Sequence, residues 1–165
     1  MNVTRFLCFV ALLSILGFST EAKADPATAV LDLKARVQKA CEQRDLNALK
    51  ACFDLDGASS TSIDLSLSPW QEYWNTNGGA RWSFDKIEYA SLAQLKSDKT
   101  INWKAIETMT QSQKMGDHMY APNLKVIGFI TARFKDSNGS NVGTMAPVGL
   151  TEDGTAKIAS QRLAQ

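Results

Sequence analysis

The sequence is poor in the residues that most enzymes use for nucleophilic or metal chemistry. Its 165 residues include one histidine, His118, and three cysteines. A metal site needs several such ligands close together, and no second histidine accompanies His118. No nucleophile, metal or phosphate-binding motif is present either, so the sequence predicts neither a cofactor nor a bound metal ion.

Net charge is also nearly absent. The chain carries 18 basic and 17 acidic residues, and such a balance gives no electrostatic footprint for nucleic acid or for an anionic membrane surface. We therefore expect no nucleic acid as a partner. We also expect no membrane once the N-terminal segment is removed.

Only one long hydrophobic run occurs, and it lies at the N-terminus. Arg5 gives this end a positive charge, residues 6–18 are apolar but too few to span a bilayer, and Ala22-Lys23-Ala24 has the form of a cleavage site. These features predict a signal peptide at residues 1–24 and a single exported domain at residues 25–165, periplasmic or extracellular. An uncleaved membrane helix is the alternative, and it fits the short run less well.

Two cysteines, Cys41 and Cys52, lie in the predicted domain. In an oxidising compartment an even number of cysteines favours a disulfide, which would stabilise the fold by roughly 3 kcal/mol. Both residues fall on apolar helix faces that can meet. Two buried thiols acting as small apolar side chains are the alternative.

The first part of the domain has the pattern of a helical hairpin. Asp25-Pro26 is typical of a helix start, and apolar residues then recur at helical spacing to about Glu42. Asp45 can cap a second, shorter helix after a short link. The broad apolar stripe of the first helix predicts that it packs on a sheet.

The middle of the chain is less regular. Ser68-Pro69-Trp70-Gln71 has the form of a capping box and predicts a short helix over 69–75. Residues 82–92 are rich in aromatic and β-branched types and predict a strand. In 94–116, Trp103, Ile106 and Met109 have helical spacing, but strand or loop fits nearly as well.

The strongest pattern runs from Tyr120 to Arg162 and predicts an antiparallel meander of three strands. Asn138-Gly139 and Asp153-Gly154 can adopt the positive φ angles of tight hairpin turns. The even positions of 124–134 are all apolar or small, which predicts one fully buried face. Gly128 predicts a bend, and Pro147 predicts a bulge or an edge.

This order of elements resembles that of the NTF2-like, or cystatin-like cone, superfamily. The resemblance extends from about Ala27 to Arg162, and the phrases at 123–128 and 147–149 are similar to phrases in exported bacterial members. It implies an α+β fold in which an N-terminal helical hairpin packs on a curved antiparallel sheet ending in a three-stranded meander. It also implies a pocket between sheet and helices, and often a homodimer formed through the outer face of the sheet.

Members of that superfamily include both enzymes and binding modules, so the fold alone does not select a function. The surplus of aromatic residues favours a non-enzymatic domain that binds a small apolar or amphipathic molecule, or a protein partner, in the cup between sheet and helices. The alternative for the tryptophans is that they belong to the core. The candidate binding residues are Trp70, Trp74, Trp82, Trp103, His118 and Tyr120.

A pocket enzyme of the isomerase, dehydratase or hydrolase type is the alternative function. It would use His118, or the carboxylates Asp54 and Asp56, together with Tyr120. No spacing in the sequence places any of these groups opposite another, so we assign no catalytic residue.

Overall fold

The computed structural model describes residues 25–74, 82–112, 114–115, 118–120 and 124–163, and the side chains of all of these except 109–112, 114–115, 118–120 and 162–163. The predicted signal peptide at 1–24 lies outside the described residues. The elements are α1 Pro26–Gln43, α2 Leu46–Lys50, β1 Phe53–Asp54, α3 Ser60–Gln71, β2 Trp82–Ser91, α4 Leu92–Ser97, α5 Trp103–Ser112, β3 Lys114–Met115, β4 His118–Tyr120, β5 Lys125–Asp136, β6 Asn141–Leu150, β7 Ala156–Ala159 and β8 Gln161–Leu163.

The predicted helical hairpin is confirmed in α1 and α2. α1 begins at Pro26, buries an apolar stripe and ends before Arg44, whose φ of 51° turns the chain. The Asp45 carboxylate then accepts hydrogen bonds from the amides of Asn47 and Ala48, at 2.9 and 3.0 Å. This carboxylate satisfies two of the amides that the start of a helix leaves without partners.

The predicted start of the helix over 69–75 is wrong. α3 begins at Ser60 with Ser59 as its cap, and Pro69 lies inside it. Pro69 has no amide to give to the Leu65 carbonyl, and the Ser68 hydroxyl donates to that carbonyl instead, at 3.5 Å. The helix therefore continues through the proline.

The segment over 94–116, left open between helix, strand and loop, is mostly helical. The Ser91 hydroxyl accepts from the Gln94 amide, and the Gln94 side chain accepts from the Ser91 amide, so a capping box starts α4. α5 follows from Trp103. The strand predicted over 82–92 is confirmed as β2, which ends where α4 begins.

The main sheet has five strands in the order β1-β7-β6-β5-β2 and is not closed. The predicted meander is confirmed in the antiparallel β5, β6 and β7. Its predicted start is wrong, because Tyr120 belongs to β4 and β5 begins at Lys125. The prediction that the whole sheet is antiparallel is wrong, because β1 pairs with β7 in parallel, Phe53 opposite Ile158. The last predicted strand is divided at Ser160, and β8 joins a second sheet in the order β3-β4-β8.

The core lies between α1 and the sheet. Leu33, Val37, Ile130, Phe134 and Ile158 are all fully buried within it. On β5 the predicted even set is buried from Gly128 to Phe134, whereas Val126 is only half-buried. Phe129 is buried as well, on the opposite side, because successive strand residues point to opposite sides. The fold is therefore α+β, with helices packed on one open main sheet.

Gly128 lies at a break in the strand register, and Pro147 lies where the pairing of β6 with β7 ends. The pairing of β5 with β6 shifts by one residue between Val126 and Gly128, which is a β-bulge. β7 pairs with β6 only from Val148 onward. Among the described strands, Pro147 thus lies just beyond the residues of β6 that β7 covers, while it still pairs with Phe129 of β5. Prolines in sheets are largely confined to such edge positions.

The predicted disulfide is absent, since Cys41 and Cys52 are both free thiols. Cys41 is 2% exposed and Cys52 is 1% exposed. The Cys52 thiol donates to the Ala48 carbonyl of its own helical turn, at 3.4 Å. Both thiols are therefore small buried side chains in the core, which is the alternative that the sequence left open. Within the part of the chain that the structure covers, no helix is both long and apolar enough to span a membrane.

Candidate functional site

The candidate site is an open apolar groove between the start of α1 and the adjacent end of the sheet. Its volume is about 640 Å³. We call it the α1 groove. The described residues that line it are Pro26, Ala27, Val30, Leu31 and Lys34 of α1, Tyr89 and Ser91 of β2, Lys125 and Ile127 of β5, and Leu150 of β6.

The helix wall of the groove follows from helical spacing. Ala27, Val30, Leu31 and Lys34 are three and four residues apart, so they share one face of α1. Val30 is buried, but Leu31 is 65% exposed. A leucine this exposed gains little from folding, and its exposed surface is free to contact a ligand.

The sheet wall is shaped by the bulge in β5. The Tyr89 hydroxyl donates to the Ile127 carbonyl at 3.2 Å. A Cβ atom at Gly128 would lie 2.5 Å from that hydroxyl oxygen and 2.5 Å from the Ala90 carbonyl oxygen. Glycine at 128 is therefore what allows the tyrosine to lie flat against β5.

The uncharged polar side chains on the sheet wall of the groove are Tyr89 and Ser91, and neighbouring groups hold both of them. Burial raises the pKa of Tyr89 above its usual value of 10.0, so its phenol stays protonated at neutral pH. The Ser91 hydroxyl is held by Gln94 in the capping box of α4. No aspartate or glutamate is found among the described residues that line the groove, so these residues supply no carboxylate base.

The predicted tryptophans do not line this groove. Trp70 is 1% exposed and Trp74 is 9% exposed, and both belong to the core cluster. Trp70 packs edge-on against Phe53 with ring centroids 5.9 Å apart. The cavity beside Trp70 is about 20 Å³, room for no more than a water molecule. For these two residues the structure agrees with the core alternative.

The other two tryptophans lie apart from each other and from the groove. Trp82 packs edge-on against Tyr73, with centroids 5.9 Å apart, beside the core. Trp103 is half-buried on α5, and the Lys96 ammonium lies 5.7 Å from the centroid of its ring. These aromatic residues do not form one shared binding surface with the α1 groove.

The candidates for catalysis lie on different sheets. The backbones of His118 and Tyr120 belong to β4 and pair with β8, and their side chains are outside the described set. Asp54 belongs to β1 of the main sheet and is half-buried, and Asp56 follows it in an exposed turn. The roles predicted for His118 and Tyr120 therefore stay predictions.

A polar surface, separate from the α1 groove, lies on the face of the sheet opposite α1. Glu88 accepts from Arg133 at 2.6 Å and pairs with Lys86 at 2.8 Å, and Lys135 pairs with Asp85 at 2.7 Å. The hydrogen bonds from Arg133 and Lys86 lower the pKa of Glu88 below its usual value. The charged side chains of this surface pair with one another, so they are less available to a charged ligand than the lysines of the groove, which have no ion pair among the described residues.

The signal for the helix wall was present in the sequence. Leu31 falls beside the main apolar stripe of α1 and widens it by one residue, next to Ala27 and Lys34. If the apolar stripe of a helix is wider than the sheet can cover, some of its apolar side chains stay exposed at the edge. The sheet wall had no such signal, because Tyr89, Ile127 and Leu150 are far apart in the sequence.

Among the described residues, no group of three or more histidine, cysteine, aspartate and glutamate side chains is placed to hold a metal ion. Comparison with known proteins adds no further assignment: no family model matches the chain, and no curated protein or solved structure is significantly similar to it.

Proposed function

We propose that this chain is an exported, NTF2-like domain that binds a small apolar or amphipathic molecule in the α1 groove. The observation that carries the proposal is the groove itself, with a volume of about 640 Å³ between α1 and the sheet. Ligand sites for small molecules are concave, mostly apolar and of roughly 300 to 1,000 Å³. The predicted export signal and the resemblance in the order of elements support the rest of the proposal.

Leu31 gives further support, because a large apolar side chain on the rim of a groove is available to a ligand. It is 65% exposed. Burying it against an apolar molecule removes hydrocarbon surface from water, and fully burying such a side chain is worth roughly 1.5 to 3 kcal/mol. Only part of that is available here, because part of Leu31 is already covered.

The test measures binding of the uncharged apolar dye N-phenyl-1-naphthylamine by its fluorescence. We expect saturable binding to the protein and roughly tenfold weaker binding to Leu31→Gln, which removes apolar contact from the groove. The matched control is Met145→Gln, since Met145 is also a large exposed apolar residue, 55% exposed, but does not line the groove.

Saturable binding that Leu31→Gln weakens and Met145→Gln leaves intact supports the proposal. Absence of saturable binding contradicts it. Equal weakening by both substitutions also contradicts it, because the dye would then be binding to exposed apolar surface in general.

A further inference from the structure

The α1 groove carries positive charge as well as apolar surface. Lys34, half-buried on α1, and Lys125, exposed on β5, line it from opposite walls. No described residue with a carboxylate lines the groove beside them. The two ammonium groups therefore border the groove without a neutralising partner among its described walls.

The acidic residues nearest to Lys34 in the sequence do not neutralise it. Asp32 pairs with Arg36 at 2.8 Å on α1. Asp25 precedes α1 but is not among the residues lining the groove. None of the ion pairs found in the described part of the chain includes Lys34 or Lys125.

The 18 basic and 17 acidic residues of the chain nearly balance, so a local excess of positive charge depends on where individual lysines lie. Elsewhere on the sheet, Lys86, Arg133 and Lys135 each have a carboxylate partner. A lysine left unpaired on exposed surface is ordinary, but two on facing walls of one apolar groove create a local site for an anion. A ligand with a hydrocarbon tail and an anionic head group would use both features, because the tail is buried against the apolar surface and the head group pairs with the lysines.

We infer that the ligand of the α1 groove is a single-chain amphiphile with an anionic head group, of the fatty-acid class. Its hydrocarbon chain lies along Val30, Leu31, Ile127 and Leu150, and its carboxylate is bound by Lys34 and Lys125 from the two walls. This inference rests on the proposed function and narrows it to one chemical class. A single chain suits a groove of about 640 Å³, the size of a site for one small molecule.

The two parts of such a ligand contribute in different ways. Each buried methylene group contributes about 0.8 kcal/mol, or roughly a fourfold gain in affinity. Contacts between the carboxylate and two partly exposed ammonium groups add a smaller, salt-sensitive gain, about tenfold for the pair. Chain length and head-group charge can therefore be varied independently.

The experiment titrates the protein with decanoate, 1-decanol and decylammonium below their aggregation limits, by isothermal titration calorimetry at low salt. We expect decanoate to bind about tenfold more tightly than 1-decanol, and decylammonium to bind more weakly than both. Octanoate, two methylene groups shorter, should bind roughly 15-fold more weakly than decanoate if both groups are buried.

The decisive variant is Lys34→Gln combined with Lys125→Gln. It should lower the affinity for decanoate about tenfold, to that for 1-decanol, while binding of 1-decanol stays unchanged. Lys39→Gln is the control for the change at Lys34: it makes the same single substitution on the same helix, at an exposed residue that does not line the groove. Circular dichroism verifies that each variant is folded.

The outcomes separate this inference from the proposed function. If decanoate and 1-decanol bind equally well, or if the double variant binds decanoate as tightly as the unchanged protein, the anionic class is wrong and the apolar groove remains. The same holds if Lys39→Gln weakens decanoate binding as much as the double variant does. If neither decanoate nor 1-decanol binds, both proposals fail.

Discussion

Cys41 is the residue whose surroundings give the clearest measurable consequence. It is 2% exposed, and burial, followed by the nearby charges of Cys52 and Glu42, raises its pKa from 9.0 to about 12. The folded protein therefore keeps this thiol protonated at a pH where the unfolded chain has lost the proton. Cys52, whose pKa burial also raises, adds to this effect.

From this we predict that the protein loses stability between about pH 9 and pH 12. Below pH 9 the thiol is protonated in both states, so its contribution is fully present. As pH rises further, the unfolded state binds fewer protons, and the free energy of unfolding falls by up to about 1.4 kcal/mol per pH unit. Urea denaturation at pH 8 and pH 11 measures the difference.

Cys41→Ala is the comparison that isolates the thiol, because the tyrosines and lysines titrate in both proteins. The variant should be less stable at pH 8 yet lose less stability on going to pH 11. Thiol titration in denaturant provides a second test, since the absence of Cys41 and Cys52 thiols there would mean that a disulfide had formed. An unchanged pH dependence in Cys41→Ala would contradict the prediction.

Among the elements, α3 depends on a cap that lies well before the proline signal. The Ser59 hydroxyl accepts from the Ser62 amide at 3.2 Å and donates to the Ser62 hydroxyl at 3.1 Å. We predict that Ser59→Ala lowers the free energy of unfolding by about 1 kcal/mol, the usual cost of losing a serine cap. Chemical denaturation followed by circular dichroism measures it.

Ser60→Ala is the control for this change. Ser60 is exposed at the first position of α3, so the same removal of a hydroxyl there should alter stability by less than about 0.5 kcal/mol. Equal effects at both positions would mean that the cap is not what starts the helix. A larger loss of stability in Ser68→Ala than in Ser59→Ala would instead indicate that the helix starts near Pro69.

The elements also show which parts of the fold a sequence can predict. α1 and the Asp45 cap were predictable, because their signals are local and agree with one another. α3 was misjudged because Ser68-Pro69 resembles a start, while Ser68 supplies the bond that Pro69 cannot. The parallel pairing of β1 with β7 depends on residues more than 100 positions apart, and no local pattern specifies it.

The candidate site was predictable only in outline. A cup between helix and sheet was implied by the resemblance in the order of elements, but Trp70 was expected on its rim and lies in the core at 1% exposure. Large aromatic residues fill a core as readily as they line a cavity, so their number alone does not separate the two. Burial, which depends on the whole fold, decided between them.

At the scale of the whole molecule, the two faces of the sheet differ in character. One face packs on α1 and opens into the apolar groove, whereas the other carries Arg133, Lys135 and their carboxylate partners. The cores of protein interfaces are depleted in charged residues. A homodimer through the outer face stays a prediction, and this part of that face would suit its rim rather than its centre.

The groove itself is a property of the complete fold, and this leads to a last prediction. Its walls come from residues near 30, 90, 125 and 150, which lie together only in the native state. A ligand bound there stabilises the folded protein by RT ln(1 + [L]/Kd), about 1.4 kcal/mol at ten times Kd. For a domain of this size we expect the melting temperature to rise by roughly 5 °C.

Differential scanning calorimetry with N-phenyl-1-naphthylamine checks this rise, and Leu31→Gln should show a smaller one at the same dye concentration. Because Leu31 is 65% exposed, its substitution should leave the melting temperature without dye nearly unchanged. The difference between the two proteins then reports the groove alone. A dye that lowers the melting temperature would be binding preferentially to the unfolded chain, and that would remove the groove as its site.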